Sequence, residues 1–403
     1  MIILLILVYG WPLAPQDSTQ PLGNNYAEYQ YYGGSPYLHL GIDVMGITVG
    51  KPVYAVQSGI VKAWLTTQAE WHWRIATADY NTSDSCEGWL YAHIDADRYH
   101  KNVGQTVTEG ELIGYLVEWP VVGFDHCHFS RIKDAGSVWS NPDWAFVKNP
   151  LVIIAPYNDT VAPVFQNAYG SNLFALCNNN TSQYQPPSSV TGSIDIIARI
   201  YDRTGYPLAD TVWERMIPYK IEYEIHGPQN KPLELSFIFH GRFLTTSNVG
   251  VIYKDDGVCN TQGDYENRDY YFIVTNTDGD SLLESSDANY SWVTTGYPDG
   301  NYWIIVTAYD AAGNSGKDSM MVTIDNIGIV ESFEEMADNM LMVIPNPNHG
   351  EFRINRSDAI LVNSCGQVIA QGRTTFTGLK PGVYFLISKH NDQTIRQKII
   401  VVD

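Results

Sequence analysis

Five side chains with metal-ligating chemistry stand far apart in the first third of this chain, and they restrict how it can fold. They are His39 and Asp43 in Tyr37-Leu38-His39-Leu40-Gly41-Ile42-Asp43, His93 in Tyr91-Ala92-His93, and His126 and His128 in Asp125-His126-Cys127-His128-Phe129. Imidazole and carboxylate suit a borderline divalent ion such as zinc, and three protein ligands leave one position open for water. A fold that uses them has to bring three separate segments to one point.

Local geometry narrows the choice. In a strand, residues i and i+2 share a face, roughly 6.5–7 Å apart along the chain. His126 and His128 are therefore expected on one face, one at the metal and the other beside it. Cys127 and Phe129 then pack on the opposite face, and Cys127 is read as a core residue. His39 and Asp43 pose a different problem. Gly41 and the alternation of apolar residues disfavour a helix, and on a straight strand the pair would lie about 13 Å apart. A bend at Gly41 is expected to close that gap, since glycine accepts torsions that other residues avoid. His93 sits at the end of a strand, with Asp95 and Asp97 as candidates to orient its ring.

The 403 residues are enough for two or three domains. With 27 Tyr, 11 Trp, 33 Gly and 20 Pro, the composition favours strands and turns over long helices. Residues 20–150 carry short apolar strands bounded by glycine. Residues 155–326 carry strands of period two and end in a hairpin, which predicts an antiparallel sandwich similar to bacterial immunoglobulin-like or fibronectin-like domains. In it, Trp213, Trp292 and Trp303 are read as strand aromatics ahead of a glycan-binding platform. Residues 327–340 read as an acidic linker, and 341–403 as a small β-sandwich. The expected fold class is all-β throughout.

Within residues 1–19, the apolar run Met1–Gly10 reads as the hydrophobic part of a secretory signal, and it is too short to span a membrane. No other apolar run is long enough for a transmembrane helix. The net charge of −20 argues against a nucleic-acid partner and against adhesion to anionic lipid. Cys86, Cys127, Cys177, Cys259 and Cys365 fit neither a C-x-x-C zinc site nor a disulfide framework, and one disulfide is compatible with them. Asn276-Thr277-Asp278-Gly279-Asp280-Ser281 is read as an acidic turn, because Ser281 stands where a calcium loop needs glycine.

Four motifs now coincide in order: His39-Leu40-Gly41-Ile42-Asp43, Gly50 to Val61 with Pro52-Val53-Tyr54-Ala55, Tyr91-Ala92-His93, and His126-Cys127-His128-Phe129. Over about 130 residues the chain resembles the lysostaphin-type zinc endopeptidases, which cut peptide cross-links of bacterial peptidoglycan. The resemblance implies an antiparallel β peptidase domain with a groove, and one zinc ion held by His39, Asp43 and His128. It implies His93 and His126 as the catalytic pair, attack of zinc-bound water on the scissile carbonyl, and a monomer. The sequence departs from the family at Trp119-Pro120-Val121-Val122-Gly123-Phe124, at Asp125, at Cys127 for leucine, at Ser130 where glutamate is common, and in the insert Asn81–Glu87. Two alternatives remain open: a catalytically inactive wall-binding or hydrolase-activating protein, and a metallopeptidase acting on glycine-rich proteins.

The C-terminal module resembles the sorting domain of the type IX secretion system of Bacteroidetes, through Asn346-Pro347-Asn348 with Gly350, Gly378-Leu379-Lys380-Pro381-Gly382-Val383-Tyr384, and Lys398-Ile399-Ile400-Val401-Val402. That resemblance implies the type IX machinery as a partner, and release or anchoring at the outer-membrane surface.

Overall fold

Alternating apolar residues and closely spaced turns produce an all-β chain of antiparallel sheets. In the computed structural model the described residues are 9–32, 34–46, 50–66, 69–79, 86–98, 101–133, 146–203, 214–240, 248–264, 266–326, 343–346, 348–355, 357–390 and 393–402. Residues 1–8 of the expected signal segment, 81–85 of the insert, and the expected linker 327–340 lie outside them. The chain divides into two compact units, Met1–Ile324 and Asp325–Asp403.

The first unit opens with a hairpin of β1 (Tyr29–Gln30) and β2 (Tyr37–Leu38). There follow β3 (Ile42–Met45), β4 (Pro52–Tyr54), β5 (Gly59–Leu65), β6 (Arg74–Ala78), β7 (Glu87–Ala92), β8 (Thr106–Val107), β9 (Leu112–Tyr115), β10 (His126–Lys133) and β11 (Phe146–Lys148). Seven of these strands form one sheet in the order β11-β10-β7-β6-β5-β8, with β3 also paired to β10. β10 is held from beneath. Phe129, fully buried, stacks on Trp89 at 4.8 Å with parallel rings and lies 5.3 Å from Tyr91. Burying such a side chain stabilises by roughly 1.5–3 kcal/mol, so the strand carrying both histidines is firmly seated. Cys127 is buried on that same lower face, as the period-two reading requires.

The unit continues as a β-sandwich. β12 (Val164–Gln166), β13 (Phe174–Asn178) and β14 (Ser193–Arg203) build one sheet, together with β15 (Arg215–Met216). β17 (Lys231–Ile238) pairs with β16 (Lys220–His226), which pairs with Gly300–Tyr309 of the terminal hairpin Gly300–Tyr309 and Ser315–Ile324. One continuous core runs from Trp11 to Ile324. Tyr9, Trp11 and Leu13, within the expected signal segment, are part of this packing: Trp11 and Leu13 are fully buried, and Tyr9 meets Trp89 edge-on at 5.1 Å.

Trp292 is buried as expected, whereas Trp303 is half exposed on its strand; Trp213 lies outside the described residues. All five cysteines are free, Cys365 alone being exposed. Among the described residues no helix is long and apolar enough to cross a membrane. The second unit is a small β-sandwich of a three-stranded and a four-stranded sheet around Phe352, Leu361, Phe376, Leu386 and Ile399.

Candidate metal and catalytic site

Strand register brings the dispersed motifs together. His128 lies opposite Asp43 on β3 and opposite Ala92 on β7, so His93 arrives one residue past the end of β7 beside the same spot. His39 reaches it across the break between β2 and β3, where Leu40 and Gly41 turn the chain. The bend is where the spacing places it, but the reason for glycine differs from the expectation. Gly41 is not among the residues of positive φ. A Cβ there would instead come within 2.5 Å of Ser130 Oγ and 2.7 Å of His128 Nε2. Close approach, not torsional freedom, excludes a side chain at position 41.

Three donor atoms converge. His39 Nε2 lies 3.2 Å from Asp43 Oδ1 and 2.8 Å from His128 Nδ1, and His128 Nδ1 lies 3.1 Å from Asp43 Oδ1. Ligands at about 2.0–2.1 Å on a tetrahedral zinc stand roughly 3.3 Å apart, so these nitrogens and this oxygen could hold one such ion with shifts of a few tenths of an ångström. His126 Nε2 approaches the same carboxylate oxygen at 3.5 Å. The rings of His93 and His126 are 4.5 Å apart.

Each imidazole has its tautomer set by its second nitrogen. His39 Nδ1 donates to the Asn25 carbonyl (2.9 Å), which leaves Nε2 as a lone-pair donor. His126 Nδ1 donates to the Phe124 carbonyl (2.6 Å), and His93 Nδ1 to the Trp71 carbonyl, so both turn an unprotonated Nε2 to the site. His128 is reversed. Its Nε2 donates to Ser130 Oγ (3.4 Å), which itself donates to the Leu40 carbonyl (2.6 Å), and Nδ1 is left to face Asp43. The expectation that Asp95 or Asp97 orients His93 is therefore corrected: a backbone carbonyl does so, and Asp95 Oδ1 instead accepts from the Asp97 amide. His93 also adopts φ +66°, a left-handed conformation that costs a non-glycine residue about 1–3 kcal/mol.

Asn25, Trp71, Ser130 and Trp119 were not legible as site residues. Trp119 packs edge-on against both His93 (4.4 Å) and His126 (4.6 Å), and its amide donates to Asp125 Oδ1 (2.8 Å). Trp119, Asp125 and Ser130 stood out in the sequence only as departures from a pattern, and Asp125 serves to fix this tryptophan.

Burial opposes ionisation of Asp43, but the charges of His126 and His39 and the close ring nitrogens of His128 and His39 outweigh it and hold the carboxyl well below its usual range. Burial, with His126 and His128, holds His93 well below the usual imidazole value. Burial also lowers His126 and drives His128 down to about 4. His39 goes the other way: burial lowers it, yet Asp43, whose charge favours a protonated ring that donates to it through Nε2 when no metal is bound, raises it overall.

These directions predict an acid-sensitive metal-free protein. Below about pH 6.5 the unfolded histidines take up protons while His93, His126 and His128 stay neutral in the fold. Their contribution is complete above the unfolded pKa and declines as pH falls. Asp43 acts in the same sense below about pH 4, and His39 in the opposite sense, its stabilisation being lost as pH rises through its raised value. Three groups against one leave a net loss of stability between pH 7 and pH 5, measured by urea denaturation of metal-stripped protein. Equal stability at the two pH values would contradict the buried neutral assignment.

No protein-family model matches the chain, and no curated protein matches it. Among solved structures, 41 chains match. The catalytic domain of the antimicrobial peptidase lysostaphin from Staphylococcus simulans is 24% identical, with a TM-score of 0.25, covering 29% of this chain and 84% of its own. A mutant catalytic domain of the prophage-encoded M23 protein EnpA from Enterococcus faecalis is 19% identical, with a TM-score of 0.24, covering 32% of this chain and 89% of its own. A zinc-containing peptidase from Vibrio cholerae is 18% identical, with a TM-score of 0.26, covering 31% and 37%. The functional reading of this chain rests on the geometry of its His39, Asp43, His93, His126 and His128 cluster.

Proposed function

We propose that the chain is a secreted zinc metalloendopeptidase that hydrolyses peptide cross-links of bacterial peptidoglycan. The observation that carries this reading is the convergence of His39 Nε2, Asp43 Oδ1 and His128 Nδ1, with His93 and His126 beside them. In this reading those three atoms hold one zinc ion. When bound, the ion polarises the scissile carbonyl and a water molecule, bringing the water's pKa toward about 7. The chain's own groups do the rest. His93 and His126, neutral at physiological pH, accept the water's proton and pass one to the leaving amine. Their carbonyl partners keep both rings aimed during the transfer, and Trp119 shields them from bulk water.

We further propose export through the type IX machinery to the outer-membrane surface, on the resemblance of the C-terminal module. Support comes from the motif residues of that module: Asn348 Oδ1 accepts from the Gly350 amide (3.0 Å), at the left-handed turn that Gly350 provides (φ +89°).

His126→Ala separates chemistry from metal binding. The zinc-reloaded variant is expected to keep one zinc per chain and to clear purified sacculi about 10²–10⁴-fold more slowly, read as turbidity loss. Wild-type protein that holds zinc and never clears sacculi would turn the reading toward a wall-binding protein.

A further inference from the structure

Buried charge requires a partner, and three buried carboxylates of the first unit are gathered at one point. Asp159 lies in the segment that leads from β11 to the sandwich, Asp202 is the penultimate residue of β14, and Asp310 follows the strand Gly300–Tyr309. Their relative exposures are 6%, 2% and 2%, and one oxygen from each lies within 4.8 Å of the others. Arg203, next along β14, pairs with Glu214 (3.6 Å) instead.

Two of the three are held in place by their own loops. Asp159 Oδ1 accepts from the Val161 amide (2.9 Å), and its Oδ2 accepts from the Tyr157 hydroxyl (3.2 Å). Asp310 accepts from the Asn314 amide (2.7 Å) and side chain (2.6 Å). Asp202 is different: its Oδ1 is fully buried and has no hydrogen-bond partner. An orphaned carboxylate oxygen in a cluster of carboxylates is unfavourable unless something positive meets it. Oxygens bound to one calcium at about 2.3–2.6 Å stand at most about 5 Å apart, which this cluster satisfies, and an all-oxygen set selects a hard cation over zinc.

We propose that Asp159, Asp202 and Asp310 form a second metal site, holding calcium with water completing its shell. The site joins the segment entering the sandwich to two of its strands. That segment is also tied to the N-terminal stretch: Trp11 Nε1 (2.7 Å) and Thr19 Oγ1 (3.2 Å) donate to the Pro156 carbonyl, and the Asn158 amide donates to Thr19 Oγ1 (2.9 Å). Calcium thus locks the joint between the part bearing the histidine cluster and the sandwich. This inference does not depend on peptidase activity.

The test uses the full chain, stripped with chelator and reloaded with zinc. Calcium at one hundred times its dissociation constant is expected to raise the melting temperature by at least about 3 °C, and chelator to reverse it. Asp202→Asn and Asp159→Asn are each expected to lose this response. Terbium luminescence sensitised by Tyr157, beside the site, is expected in wild type, to be displaced by calcium, and to be absent in Asp202→Asn. No response in wild type overturns the site. An equal response in Asp202→Asn assigns the ion to the acidic surface and overturns it too. An equal shift with magnesium at the same concentration overturns the calcium assignment.

Discussion

Asp43→Asn is expected to empty the candidate zinc site and to reduce hydrolysis of sacculi by at least about 10³-fold. The replaced oxygen lies within 3.1–3.5 Å of His39, His128 and His126. An amide keeps the shape and removes the negative charge that these three rings face. Three neutral imidazoles and an amide do not balance a divalent ion, and the amide NH₂ group competes with it for the same space. Zinc per chain by mass spectrometry and turbidity loss are the two measurements. Retention of a full equivalent of zinc together with more than about a tenth of wild-type activity would sink the ligand assignment.

The second large effect is expected far from that cluster in sequence. Arg268 is buried in the sandwich part and donates to the Gly23 carbonyl, to the Arg215 carbonyl (3.2 Å) and to Asn24 Oδ1 (3.3 Å), with Glu28 Oε1 at 3.7 Å. Glu28 in turn accepts from the Asn25 amide (2.6 Å), from Asn24 Nδ2 (3.1 Å) and from the Tyr270 hydroxyl. These contacts hold the turn whose Asn25 carbonyl orients His39. Arg268→Met leaves Glu28 without its counter-charge. Removing one partner of a buried pair costs about 3–5 kcal/mol, and the low end is expected. Burial already pushes the Glu28 carboxyl up despite Arg268, so it can shed its charge by taking a proton. With the turn loosened, zinc affinity is expected to fall about 10–100-fold, as for other changes behind a metal-bound histidine. Urea denaturation and zinc titration measure the two effects. A loss of stability with unchanged zinc affinity would show that Arg268 supports the fold and not His39.

Much of this arrangement was readable residue by residue. The i, i+2 spacing of His126 and His128 placed both on one face of a strand and Cys127 on the other, because a strand has a period of two whatever surrounds it. The need for a bend at Gly41 followed from the length of an extended chain. What could not be read were the groups that meet each ring's second nitrogen. Asn25, Trp71 and Phe124 act through backbone carbonyls, which every residue carries, so their identities leave no trace. Ser130 looked like a departure from a pattern, and its hydroxyl proves to set the tautomer of His128.

The sequence by itself determined the class of fold and offered the five candidate side chains of the proposed site, with strands to present them. Those follow from side-chain type and local periodicity. Only the tertiary structure decided that β3 and β7 flank β10 in the register joining Asp43, His128 and His93, that the sandwich braces the turn behind His39, and that Asp159, Asp202 and Asp310 meet. Each depends on strand pairing and packing between residues from about 40 to 250 positions apart, and such pairings are chosen by the burial of the whole core and not by any local run of residues.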